Sequence, residues 1–159
     1  MIKDSKKLKV IGHSIPFQID YTANYNKSFR REFQALYISK DITPDEFAIL
    51  YSIHLQPDIT QSEMAKLLFK GKAHIGKILN DMETRGLIKR VADTKDNIII
   101  KRNEITPKGQ IYFDKGHKEY ERFKAAIIKE FPAEDREQFL SYLEKYRKIL
   151  DSFVNVELK

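Results

Sequence analysis

Lys72, His74, Lys77 and Asn80 lie two or three residues apart in the stretch KAHIGKILNDMETRGLIKR, whose apolar residues keep a different phase. Ile75, Ile78, Leu79 and Met82 recur at the three- and four-residue steps of one helix face. The four polar residues, with Asp81, fall largely on the other face. Lysine and asparagine side chains on such a face can hydrogen-bond base edges or hold phosphate oxygens. Lys77 and Asn80 have the reach for base edges, and Lys77 suits phosphate equally. Upstream, Thr60, Gln61 and Ser62 open another helix, where N–H groups and hydroxyls suit phosphate. Downstream, Lys95, Lys101 and Arg102 sit in a β-branched segment that can reach phosphates or the minor groove. This is the chemistry of polyanion recognition.

Bond-breaking chemistry has no comparable signal. The chain holds no HExxH, GxSxG, GxGxxG or GxxxxGKS pattern, and nothing brings its Ser, His and Asp residues together. An enzyme is not predicted. The histidines His13, His54, His74 and His117 are scattered. His54 has apolar neighbours and is read as packed. His117, with Asp114 before it and Glu121 after it, has helical spacing that could take zinc, but such sets recur by accident. No metal and no cofactor is assigned. The absence of cysteine excludes disulfides and thiolate ligands.

The elements that must position these groups are marked by their caps. Thr60 and Glu63 form a capping box, and Met64, Leu67 and Leu68 give that helix its apolar side. Phe69 to Lys72 is a tight connection to the second helix, and Gly86 stops it. Residues 87–106 read as a hairpin: Leu87 to Val91 is one strand, Asp93 to Asn97 the turn, and Ile98 to Ile100 begin the second strand. Helix, turn, helix and basic hairpin make the layout of a winged helix-turn-helix. From Arg85 to Lys108, the cations Arg85, Lys89, Arg90, Lys95, Lys101, Arg102 and Lys108 face only Asp93, Asp96 and Glu104, a local +4 out of a total of +6.

Further helices flank this module. Ile15-Pro16, with Ser14 as cap, starts one that carries Phe17, Tyr21, Tyr25, Phe29, Phe33 and Leu36 as an aromatic stripe down to Tyr37 or Ile38. The stripe is read as core or subunit packing, with Tyr25, Phe29, Phe47 and Tyr112 as a ligand pocket alongside it. Thr43-Pro44 and Glu46 open a helix that sends Phe47, Ile49, Leu50 and Ile53 inward. Thr106-Pro107 opens another, in which Gly109 and Gly116 read as tolerated interruptions costing about 1 kcal/mol each relative to Ala. After Phe131-Pro132, the residues Phe139, Leu143, Tyr146, Leu150 and Phe153 recur at steps of four, three, four and three, a coiled-coil-like seam. Phe17 and Tyr21 join that seam as predicted dimer contacts. Lys3, Lys6, Lys7 and Lys9 form a basic tail, read as a solvated end or as an arm for phosphate or a partner subunit.

The fold class expected is therefore mainly α with a small β-hairpin wing. The 159 residues are read as one domain, with 15–38 and 107–156 as a helical dimerisation platform and 43–106 as the winged lobe. No window approaches the length and apolarity of a membrane span or a secretory signal, so a cytoplasmic protein with no membrane partner is expected.

Several short motifs carry a family likeness. The stretches ITPDEFAIL at 42–50, ITQSEMAKLL at 59–68, KAHIGKILNDMETRGLIKR at 72–90 and ITPKG at 105–109 together resemble the MarR family of transcriptional regulators over nearly the full chain. The resemblance implies a homodimer on pseudo-palindromic double-stranded DNA. It also implies a small-molecule effector, often phenolic, whose binding releases DNA in many relatives. The chain departs from the family at Asn97 and Ile98, where wing arginines are expected, and Lys101 and Arg102 are candidates to supply that charge. His74 and Gly76 stand where Ser or Thr is common, and Gly76 offers no side chain to read a base. The function expected is a sequence-specific regulator, a repressor in the first instance. The rival reading is a winged-helix scaffold for protein contacts, with weak nonspecific DNA binding.

Overall fold

A computed structural model describes residues 11–95 and 98–154; in the hairpin, the side chains of 93–101 also lie outside the described residues. The elements are α1 (Ile15–Phe33), a π-helical turn (Gln34–Ile38), α2 (Pro44–Leu55), α3 (Gln61–Leu67), α4 (Lys72–Thr84), β1 (Ile88–Lys95), β2 (Ile98–Ile105), α5 (Pro107–Glu130) and α6 (Ala133–Phe153). Backbone packing divides the chain after Pro44 into two units. The basic tail of the sequence reading lies outside the described residues.

In the first unit, Ser14 holds an extended backbone before α1 and Pro16 sits in the first turn. Proline's missing N–H has no helical partner there in any case. No residue of α1 is buried. Its aromatic stripe pairs along itself, with ring centroids 6.3 Å apart for Phe17–Tyr21, 5.4 Å for Phe29–Phe33 and 5.0 Å for Phe33–Tyr37. The α-helical ladder gives way at Gln34, where the Ser39 N–H donates five residues back to the Gln34 carbonyl at 2.9 Å. The extra residue in that turn shifts the phase. Ile38 becomes buried, and Leu36, which the four-residue rhythm places on the stripe, is exposed.

The second unit is built on α2, which is buried nearly all round through Glu46, Phe47, Ile49, Leu50, Ser52 and Ile53. Met64, Ile75, Leu79 and Met82 have no solvent exposure, and Leu87, Ile88 and Phe113 have almost none. Each such side chain contributes about 1.5–3 kcal/mol of burial. The capping box of α3 forms as the sequence predicts. The Thr60 hydroxyl accepts from the Glu63 N–H at 3.2 Å, and Glu63 Oε2 accepts from the Thr60 N–H at 2.7 Å. One apolar assignment on α3 is corrected: Leu67 is exposed, and Ala65 is buried with Met64 instead. The helix is only 7 residues long, and its inward positions are used up before Leu67.

α3 and α4 end in the same hydrogen-bond pattern with different residues at its critical point. After α3, Phe69 N–H reaches the Lys66 carbonyl at 3.2 Å and Lys70 N–H reaches Ala65 at 2.9 Å. After α4, Gly86 N–H reaches Glu83 at 2.9 Å and Leu87 N–H reaches Met82 at 2.8 Å. Both are Schellman caps, whose first residue past the helix cap takes a left-handed backbone. Gly86 does so freely at φ +70°, whereas Phe69 is held at φ +49° with its ring two-thirds exposed.

The hairpin pairs antiparallel from Ile88↔Ile105 to Lys95↔Ile98. The first strand therefore outruns the sequence reading, which places Asp93, Thr94 and Lys95 in the turn. Ile98, Ile99 and Ile100 stand opposite those three residues, and β-branched pairing carries the ladder through. Gly109 also corrects the sequence reading. A Cβ there would collide with the Leu87 carbonyl oxygen and lie 3.0 Å from the Leu87 carbonyl carbon. Thr106, the N-cap of α5, brings the helix this close by donating its hydroxyl to the Gly86 carbonyl at 2.6 Å. Gly109 is a required close approach.

Two stability results are expected from urea unfolding. Phe69→Gly should raise stability by about 0.5–1 kcal/mol, because relief of the left-handed strain exceeds glycine's entropy cost. Gly109→Ala should lower stability by well over the roughly 1 kcal/mol scale of helix propensity, in the direction opposite to a propensity gain.

Candidate nucleic-acid interface

α4 separates its residues cleanly. Ile75, Leu79 and Met82 are buried, while Lys72, His74, Lys77 and Asn80 are exposed. The polar face read from the sequence is therefore one continuous surface. It lacks protruding bulk at Gly76, and the gap is filled from α3. A Cβ at Gly76 would lie 2.7 Å from Gln61 Nε2. That Nε2 donates to the Lys72 carbonyl at 2.9 Å, one of the first-turn carbonyls of α4. Thr60 and Gln61, read from the sequence as phosphate-binding candidates, thus both carry internal bonds. Ser62 is half-buried beside them.

Two adjacent carboxylates at the start of α2 hold α4 near its two ends. Asp45 Oδ2 lies 2.9 Å from Lys70 Nζ and 4.0 Å from His74 Nε2. Glu46, only 3% exposed, receives a hydrogen bond from Arg85 Nη1. The same Nη1 reaches Asp81 Oδ2 at 2.9 Å. The hydrogen bond to Asp81, opposed by partial burial and supported by Glu46, holds the Arg85 guanidinium above its ordinary pKa. Lys108 Nζ donates to the Arg85 carbonyl at 2.8 Å, which places a cation at the C-terminal end of α4, where the helix dipole favours one.

The wing contributes from both of its faces. Arg90 bonds Asn80 and Gln61, a role that the sequence reading did not assign. Arg102 Nη2 pairs with Glu104 Oε1 at 2.6 Å on the same strand, with both side chains about 40% exposed. An exposed pair of this kind contributes little stability and exchanges readily for another anion. The side chains of Lys95 and Lys101 lie outside the described residues.

The remaining candidates fall into separate places. Phe139 and Leu150 on α6 are about half exposed and Phe153 is 82% exposed; Leu143 and Tyr146 are half-buried. In the first unit, Phe17 is half-buried and Tyr21 exposed. Of the pocket residues, Tyr25 is exposed and Phe29 half-buried in that unit; Phe47 and Tyr112 belong to the second. Phe47 stacks on Phe113 at 6.4 Å, within an aromatic cluster that the sequence did not reveal. His54 lies 4.4 Å from Phe113, His117 lies 5.2 Å from it, and Tyr51 meets Tyr120 edge-on at 5.2 Å. His54 touches this cluster with its ring but is exposed, which corrects the packed reading: at the end of α2 its other side faces solvent. Among the described residues, no group of three or more His, Cys, Asp or Glu is placed to hold a metal ion. Nor, among the described residues, is any helix long and apolar enough to cross a membrane.

The model of the MarR family matches residues 42–97, from the approach to α2 through β1. The S. aureus MepR–DNA complex shares the fold with a TM-score of 0.71 at 20% identity, over 86% of this chain and 96% of that one. Over residues 42–97 the chain is similar to the MarR family, and over most of its length it shares the fold of the MepR structure. Streptococcus pneumoniae FabT in complex with DNA gives a TM-score of 0.67 at 21% identity, over 87% of this chain and 96% of that one. The PcaV regulator of Streptomyces coelicolor, in complex with its natural ligand, gives 0.64 at 14% identity, over 85% and 95%. No curated protein sequence matches the chain significantly.

The buried Glu46–Arg85 contact yields a stability prediction. Arg85→Ala should cost about 3 kcal/mol in urea unfolding, because it removes the cation beside the buried Glu46 carboxylate, and Glu46→Ala should cost less, because Arg85 keeps Asp81. Glu46→Leu combined with Arg85→Met should cost distinctly less than the two single changes added together.

Proposed function

We propose that this chain is a repressor that binds a pseudo-palindromic operator as a homodimer and releases it when a small aromatic or apolar ligand binds. Residues 43–106 form the lobe that meets DNA, and 15–38 with 107–156 form the dimer platform. The observation that carries the reading is the division of α4. Ile75, Leu79 and Met82 of its apolar stripe are buried and Ile78 is half-buried, whereas every candidate groove residue (Lys72, His74, Lys77 and Asn80) is exposed. A helix held in this way presents donors and cations to one surface, as a recognition helix must.

Other features support the details. MepR and FabT, which share the fold, are seen in complex with DNA. PcaV is seen with its natural ligand, which supports a small-molecule effector. No residue of α6 is buried within the chain. An uncovered apolar series including Phe139, Leu150 and Phe153 supports a second copy as its partner. Lys95, Lys101 and Arg102 act as the wing's phosphate or minor-groove cations, with Arg102 exchanging Glu104 for phosphate.

Selection of bound duplexes from a random pool should return an inverted repeat, the signature of a symmetric dimer on two half-sites. Strongly salt-dependent binding with no sequence preference would instead favour the protein-contact scaffold. Lys77→Ala should reduce the slope of log affinity against log salt by about 0.9 if Lys77 holds one phosphate. A slope equal to wild type would remove Lys77 from the backbone contacts. Lys101→Ala with Arg102→Ala should weaken binding to all sequences and flatten the slope further; an unchanged slope would reject the wing role.

A further inference from the structure

Three elements converge on Arg90. From β1, its Nη1 donates to Asn80 Oδ1 on α4, and its Nη2 donates to Gln61 Oε1 at the start of α3 over a longer 3.4 Å. Gln61 is fixed from its other end by the bond from Nε2 to the Lys72 carbonyl, and it lies over Gly76. The Arg90 backbone N–H is itself tied to Glu83 Oε1 at 3.1 Å. The guanidinium is thus held from the strand and bonded to two side-chain amides.

A guanidinium has donors and no acceptor. Any carboxamide bonded to it must therefore turn its oxygen inward. For Asn80 this leaves the NH2 group facing away from Arg90 on an exposed residue, where it has no partner among the described residues. An asparagine that reads adenine in the usual way presents its oxygen and its nitrogen together to N6 and N7. Asn80, with its oxygen committed to Arg90, leads with a donor.

We propose that Arg90 is a positioning residue for base readout: it orients the Asn80 amide so that the base pair in front of it is chosen for acceptors. Guanine O6 and N7, or thymine O4, satisfy that donor; the adenine donor–acceptor pair does not. Gln61 steadies the arginine from the far side, and Gly76 gives Gln61 room. The inference rests on the proposed DNA-binding reading and sharpens its specificity.

The experiment is duplex selection from a random pool with wild type, Asn80→Ala, Asn80→Asp and Arg90→Ala. Wild type should favour guanine or thymine over adenine about ten-fold at one position of each half-site, and Asn80→Ala should lose that preference. Arg90→Ala should leave the rest of the half-site intact while adenine gains at that one position, because the amide is then free to turn. Asn80→Asp, a change on an exposed position, keeps the bond to Arg90 but removes the donors, so cytosine should replace guanine or thymine. Adenine in the wild-type site at the Asn80-dependent position would overturn the inference. So would uniformly weaker binding by Arg90→Ala with unchanged preference, which would make Arg90 a phosphate contact. Retained guanine or thymine preference in Asn80→Asp would also overturn it. A wild-type pool with no shared sequence would overturn the DNA reading and this inference together, whereas a clear inverted repeat unmoved by these variants would overturn the inference alone.

Discussion

Glu46 places a carboxylate in the interior of the second unit, and Arg85, 39 residues further along the chain, answers it. Taking a carboxylate out of water costs several kcal/mol unless it gains a close partner charge and hydrogen bonds. That cost makes the contact demanding in geometry: the guanidinium must arrive from the right direction. It can do so only if the first turn of α2 and the last turn of α4 keep one spacing. Asp45, the preceding residue, makes the matching contact to Lys70 and His74. A recognition helix buried only through an apolar stripe could roll on its neighbours. With Glu46 holding Arg85 at one end and Asp45 holding Lys70 just before the other, the helix is tied close to both of its ends. The position of both acids in the first turn of α2 adds a favourable dipole contribution.

The same logic explains why so many polar residues at this surface have internal partners. Thr60 closes its own helix, Gln61 spans to the α4 backbone, and Arg102 pairs along its strand. A surface meant to meet a polyanion must hold its cations and amides in place beforehand, since each rotamer frozen on binding lowers the affinity gained. Internal bonds supply that order. They also restrict it: Gln61 has its oxygen and its nitrogen both engaged, so what it contributes to an interface comes through the groups it holds.

What the sequence made legible was local. Caps at Thr60 and Thr106, the stop at Gly86, the face Ile75, Leu79 and Met82, and the helix that carries Phe139 to Phe153 all depend on neighbours within a turn or two. Periodicity and capping chemistry report such neighbours directly. Hidden from it were the contacts made across the fold. Nothing near Gly109 announces the Leu87 carbonyl, and nothing near Gly76 announces Gln61. Glu46 matched a capping pattern so well that its burial against Arg85 gave no separate signal. Arg90 was one cation among several in a basic stretch, and its role became visible only when the hairpin register and α4 were placed together. The longer first strand had a local signal after all, because Ile98 to Ile100 need partners; it was outweighed by the turn-like composition of 93–97.

On the proposed DNA-binding reading, base preference is encoded by more than one element. In an isolated helix, an asparagine amide turns easily and can present either edge. On α4 the edge is chosen by a donor arriving from β1, whose own course is set by the cap at Gly86 and by the ladder to β2. Preference at that point is therefore a joint property of the recognition helix, the start of the supporting helix and the wing. Changes that never touch DNA can alter which base is favoured. Related chains with the same residue at the Asn80 position need not read the same base unless they also keep a donor in the place of Arg90.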